Sequence, residues 1–95
     1  MQVGTLVLSF PIPGARSLKD KRSVIRRVIA RTRDRFNVSA AEVEAQDRPG
    51  TAVLGIGAVS ESRRVVEETL DAVLRFIEGE TGVDVAILER EVGSA

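Results

Sequence analysis

The sequence contains no cysteine, histidine, tyrosine or tryptophan, and its only aromatic residues are three phenylalanines. Without cysteine, disulfides and thiolate metal sites are excluded. Without histidine, the chain lacks the commonest general base and the commonest metal ligand, and its serines have no imidazole to activate them. These absences predict a protein that is not a conventional enzyme and has no catalytic residues, metal site or cofactor.

Long hydrophobic runs are also missing. No stretch approaches the roughly 18 apolar residues of a membrane span, and Met1-Gln2-Val3 lacks the basic residues that begin a signal peptide. The chain has 95 residues, of which 43% are hydrophobic, enough for one two-layer core. We therefore expect a single domain over residues 1–95, with no membrane partner and a cytoplasmic location.

The charges are balanced in number but not in position. The whole chain has 14 basic and 14 acidic residues, yet segment 16–35 carries nine basic residues against Asp20 and Asp34, a net charge of +7. The rest of the chain therefore carries −7. Charge segregation of this kind is informative about binding partners rather than about the fold.

Hydrophobic patterning predicts the secondary structure. Alternating or uncharged apolar segments predict strands near 3–12, 38–46, 51–59 and 83–92, and apolar stripes at helical spacing predict helices near 18–35 and 61–78. Ser17 and Ser60 are the expected N-caps, and Gly79 and Gly82 the expected helix end. The order β-α-β-β-α-β predicts an α+β, ferredoxin-like sandwich with a four-stranded antiparallel sheet of order 4-1-3-2 and both helices on one face.

The first helix is the most informative feature for function. Lys19, Arg22, Arg26 and Arg33 fall within an arc of roughly 60° on a helical wheel, beside the apolar stripe. Such a ridge can follow a phosphate backbone. The candidate polyanion-binding residues are Arg16, Lys19, Lys21, Arg22, Arg26 and Arg33. Two alternatives remain open, namely a merely solvated helix face and internal pairing with acidic residues of the second helix (Glu67, Glu68 and Asp71).

RNA-recognition motifs bind differently, because they stack bases on aromatic residues of the first and third strands. The third predicted strand has no aromatic residue, and the first has only Phe10, which is assigned to the core. Any RNA binding should therefore use the helix side, through charge and shape.

The open face of the sheet is the second candidate surface. If the even-numbered residues of the first and third strands face the helices, then Val7, Val53 and Val59 face away, beside Gly55 and Gly57. An uncharged, β-branched face is too apolar for comfortable exposure. We predict that a homodimer buries it, with the chain after Val92 folding across the sheet as the alternative.

Two weaker signals concern ions. Glu42, Glu44 and Asp47 could in principle hold Mg²⁺, but Glu42 and Glu44 are expected to share one solvated strand face. The turn from Gly14 to Arg22 precedes a helix N-terminus and could bind an anion, or it could be a plain turn before a capped helix.

Two segments resemble a known family. The strings Ile12-Pro13-Gly14-Ala15-Arg16-Ser17-Leu18-Lys19-Asp20-Lys21-Arg22 and Arg35-Phe36-Asn37-Val38-Ser39-Ala40-Ala41-Glu42-Val43, with Leu54-Gly55 and Val73-Leu74-Arg75-Phe76-Ile77-Glu78, resemble the YlxP-like family of small bacterial domains of unknown function. The resemblance implies a ferredoxin-like fold in a bacterial cytoplasmic protein, and it supplies no catalytic or ligand residues. Members often carry an aromatic residue in the loop that is Arg48-Pro49-Gly50 here.

Genes of this family often lie beside translation and ribosome-maturation genes, so the resemblance implies contact with RNA or a ribosomal surface. The functional prediction is an uncharacterised, non-enzymatic accessory domain that contacts RNA or the ribosome through its basic first helix. The alternative is a homo-oligomeric protein-interaction module that uses the open sheet face.

Overall fold

A computed structural model describes all 95 residues as a two-layer sandwich of one sheet and two helices. The elements in chain order are β1 (Gln2–Pro11), α1 (Leu18–Arg35), β2 (Ser39–Glu44), β3 (Thr51–Ser60), α2 (Arg63–Thr81) and β4 (Ala86–Ser94). The sheet has the order β2-β3-β1-β4, and each neighbouring pair is antiparallel. The predicted architecture and strand order are therefore confirmed.

The core lies between the sheet and the helices, as the alternation in β1 predicts. Leu6, Leu8 and Phe10 are buried on the helix side of β1, and β3 contributes Leu54 and Ile56 beside them. The helices cover these side chains with the apolar stripe of α2 (Val66, Leu70, Val73 and Ile77) and with Ile25 and Val28 of α1. Burial of aliphatic side chains therefore supplies the main stabilisation.

α2 packs closely against β1 at Gly4. A Cβ atom built there would lie 2.3 Å from Cγ1 of Val66, so only glycine lets α2 pack against β1 at this point.

The helix ends follow capping chemistry, with two corrections to the predicted caps. Ser17 caps α1, since its hydroxyl accepts a hydrogen bond from the backbone N–H of Asp20. The N-cap of α2 is Ser62 and not Ser60; the Ser60 hydroxyl instead accepts from the backbone N–H of Ser62. Gly79 lies inside α2, and Gly82 ends the helix in the left-handed conformation.

Both edge strands contain an irregularity that the sequence pattern did not show. The pairing of β2 with β3 shifts between Glu42 and Glu44, and that of β1 with β4 shifts between Val7 and Leu8. The end of the chain stays in the sheet, because β4 pairs with β1 as far as Ser94 opposite Gln2. The expected alternative, a tail folding across the open face after Val92, is therefore wrong. Neither helix has the length and hydropathy needed to cross a membrane.

Candidate polyanion-binding surface

The exposed flank of α1 carries a row of basic side chains, which we call the basic ridge (Lys19, Arg22, Arg26 and Arg33). All four residues are exposed. At 1.5 Å per residue the ridge extends over about 21 Å of the helix axis. Asp20 and Asp34, the acidic residues of α1, are about 60° or more outside its arc on the helical wheel.

Contacts on both flanks of α1 fix where the ridge lies. On one flank, Nη1 of Arg31 donates to Oε2 of Glu80 at 2.6 Å, and the guanidinium of Arg35 lies over the Phe76 ring, so that flank faces α2. On the other flank, Nη2 of Arg33 donates to the carbonyl oxygen of Ala40 in β2 at 2.7 Å. The basic ridge therefore lies above β2, the edge strand of the sheet.

Most cations of segment 16–35 have no carboxylate partner. Of the nine, only Lys21 and Arg31 form an ion pair. The proposed internal partners are already occupied. Glu67 and Glu68 pair with Arg63 and Arg64 of their own helix, and Asp71 pairs with Arg90 of β4. Internal pairing with α2, one of the alternatives from the sequence, therefore does not neutralise the ridge.

Lys21 is the exception among the candidate residues, and its assignment to an exposed polyanion surface is wrong. Its side chain is only 1% exposed. Its Nζ lies 2.9 Å from Oε2 of Glu42 and donates to the backbone carbonyls of Ala45 and of Arg48, the latter at 2.8 Å. Lys21 thus joins α1 to the β2–β3 hairpin loop from inside the protein.

The partner of Lys21 was missed because the strand face that carries Glu42 was expected to be solvated, whereas it faces the helices. Glu42 pairs with Leu54, whose side chain faces the helices, whereas Glu44 pairs with Val53 on the open face. The two glutamates therefore point to opposite faces, not to one solvated face as expected. No group of three metal-ligating side chains occurs in the chain. Glu42 faces the helices by regular alternation with the buried Ala40, and the extra residue after it turns only Glu44 to the open face.

The turn before α1 uses its backbone donors internally. Gly14 adopts a left-handed conformation, and Arg16 of the candidate set is exposed. The backbone N–H of Arg16 donates to Oδ2 of Asp20, and that of Asp20 donates to the Ser17 hydroxyl. The Asp20 carboxylate already occupies the position of an anion, so the geometry favours the plain capped turn over an anion site.

The open sheet face differs from the predicted one in two ways. Val59 is 55% exposed and Val7 is half-buried, but Val53 is only 5% exposed. Val53 lies in a depression lined also by the hairpin loop and Leu88, so it offers little area to a partner. The exposed apolar residues of this face are instead Val43, Val59 and Leu88.

The open face is also less neutral than the sequence suggested. Glu89 and Glu91 pair with Val7 and Thr5 across the β1–β4 ladder, which places both glutamates on this face. Neither forms an ion pair, and neither does Glu44. The domain is therefore basic along one flank of its helix layer and acidic at the rim of its sheet.

Comparisons with known proteins agree with this architecture. Residues 3–90 match the family model described as a protein of unknown function (DUF503). The chain is 40% identical over 77 residues to the uncharacterized protein YlxP of Bacillus subtilis (strain 168). That match covers 81% of this chain and 84% of the relative. It is also similar, with a TM-score of 0.58 and 15% identity, to a de novo designed ferredoxin-fold protein solved by solution NMR; that match covers 100% of this chain and 87% of the design.

Proposed function

This chain belongs to the DUF503 family of proteins of unknown function, and from its geometry we propose that it is a non-enzymatic accessory domain that binds RNA, including RNA at a ribosomal surface, through the basic ridge. The observation that carries the proposal is the set of exposed cations on one flank of α1 that have no carboxylate partner in the folded protein. The proposal includes a cytoplasmic location and a translation-related role, which the family resemblance supports.

The side chains of the ridge are chemically suited to binding phosphate groups. Three of its four members are arginines, whose planar guanidinium groups bind phosphate through two parallel hydrogen bonds. Phosphate contacts release condensed counterions from the nucleic acid, and this release favours binding. Binding of this kind does not require a pocket. A binding role also agrees with the side-chain inventory, because no histidine or cysteine is available for catalysis.

The test is a charge reversal on the ridge. We expect the double substitution Arg22→Glu and Arg26→Glu to abolish binding of structured RNA measured by fluorescence anisotropy at low salt. The melting temperature should change little, since exposed charges contribute roughly 0–1 kcal/mol to folding.

A matched control reverses two other exposed arginines without an ion pair, Arg27 and Arg75, one on the opposite flank of α1 and one on α2. This control removes the same net charge and should retain binding. Equal loss of binding in both double variants would show that net charge, and not the ridge, is responsible.

A second candidate function is self-association through the open sheet face. The observation that favours it is the exposure of Val43, Val59 and Leu88 on a face that no segment of the chain covers. A homodimer would bury these side chains.

We expect a dimer in sedimentation velocity at high protein concentration, and a monomer after Val59→Lys. The control is Val65→Lys, which changes another exposed valine, on α2. A monomer for the unmodified chain at every concentration would contradict this function and leave the basic ridge unaffected.

A further inference from the structure

Resting on the proposed function, we infer that the ligand of the basic ridge is double-stranded RNA, held through the two phosphate backbones that border its minor groove, and not single-stranded RNA. The first argument is the absence of a stacking platform. Proteins that hold single strands combine cations with aromatic side chains on which bases stack. Phe10 is 2% exposed, and Phe36 and Phe76 pack edge to face 5.6 Å apart toward α2, on the flank away from the ridge.

The second argument is the shape of the surface. A single strand is usually held in a groove that follows its backbone, whereas the ridge is the convex flank of an 18-residue helix. Regularly spaced cations on a convex flank can contact phosphates that a duplex holds at fixed positions. The same cations bind a flexible single strand less tightly, because the strand must lose conformational freedom to place its phosphates against them.

The third argument selects A-form over B-form geometry. α1 does not protrude as a lone helix, because it packs against α2 on one flank and Arg33 joins it to Ala40 of β2 on the other. α1 is therefore flanked by α2 on one side and by the β2 edge on the other, and it does not stand free to enter a deep groove. The minor groove of A-form RNA is wide and shallow, whereas the major groove of B-DNA admits a helix that enters it. Asn37, exposed in the connection between α1 and β2, provides an uncharged donor and acceptor for a 2′-hydroxyl group of such a groove.

The experiment compares three ligands of equal length on the complete chain. These are a perfectly paired RNA duplex of about 16 base pairs, enough to present two successive minor grooves, one of its strands alone, and the DNA duplex of the same sequence. If all four ridge cations contact phosphate, the logarithm of the affinity should fall with the logarithm of salt concentration with a slope of about −3.6 on a duplex and about −2.8 on a single strand.

If duplex and single strand bind equally at 1 M salt, that difference in slope predicts that the RNA duplex binds about tenfold more tightly than the single strand at 50 mM salt. We expect the DNA duplex to bind more weakly than the RNA duplex. The substitution Asn37→Ala should reduce that RNA preference while leaving the salt slope unchanged, a combination that a general loss of structure would not produce.

Single-stranded RNA binding as tightly as the duplex, with Arg22→Glu and Arg26→Glu still abolishing it, would overturn the duplex assignment and leave the proposed function intact. DNA duplex binding as tightly as RNA duplex would overturn the A-form argument. No binding of any ligand at low salt would contradict the proposed function itself.

Discussion

Two neighbouring cations of α1, Lys21 and Arg22, show how differently one basic segment can be used. Lys21 lies under the hairpin loop with its ammonium group between Glu42 and two backbone carbonyls. Arg22, one residue further along the helix, lies on the exposed ridge without a carboxylate partner. A rotation of about 100° between successive residues separates a structural cation from a candidate binding cation. Charge counted along a sequence therefore overestimates the charge that a partner meets.

The largest expected effect comes from removing the buried cation. Lys21→Met leaves the Glu42 carboxylate and two loop carbonyls without their donor, so we expect the free energy of unfolding in urea to fall by about 3 kcal/mol. The same substitution at the neighbouring position, Arg22→Met, should change it by less than about 0.5 kcal/mol. Similar losses for the two variants would mean that Lys21 is not the structural cation described above.

A smaller effect is expected on the acidic side of the same pair. Glu42→Gln keeps the shape of the side chain and leaves Lys21 bound to the two loop carbonyls, so we expect a loss of about 1 kcal/mol in the same urea measurement. Glu44→Gln, in the same strand but on the open face, provides the control and should be close to neutral. A larger loss at Glu44 than at Glu42 would contradict the register of β2.

The smallest effect on stability is expected at Arg33, which is both a member of the exposed ridge and a structural cation. It is exposed like the rest of the ridge, yet it donates a hydrogen bond to the Ala40 carbonyl. Arg33→Ala should therefore cost about 0.5–1 kcal/mol of stability. In RNA titrations it should also reduce the magnitude of the salt slope by about one if that side chain contacts a phosphate. An unchanged slope would assign Arg33 to the structural group with Lys21.

The elements that follow from a periodic hydrophobic pattern were predictable from the sequence. The orientation of side chains at an irregular position was not. The span of α1 and the order of the strands follow from periodicity and connection rules, and the structure has both. The orientation of Glu44 does not, because one extra residue after Glu42 turns Glu44 to the open face. Burial of Val53 also depends on how the hairpin loop lies, which no periodic pattern specifies.

The candidate site was also predictable only in part: the sequence identified its exposed cations but not the one that is buried. Wheel geometry placed Lys19, Arg22 and Arg26 on one flank, and the structure leaves all three exposed. The same wheel places Lys21 in the middle of the apolar stripe, between Val28 and Ile25. It was grouped with the ridge by its charge, because a long lysine side chain can extend outward or inward. Which direction it takes depends on whether a carboxylate and free carbonyls lie beneath it, and that is a property of the tertiary structure.

The contact between Arg33 and Ala40 has a consequence for the association of whole chains. The outer strand of an open sheet presents backbone groups to which another extended chain can add, and this is a common start of aggregation. β2 is only six residues long, is bulged near Val43, and has one of its carbonyls occupied by a guanidinium group. An incoming strand would have to displace Arg33 and match an irregular backbone. This edge of the sheet therefore protects the protein against strand-by-strand polymerisation, whatever its ridge binds.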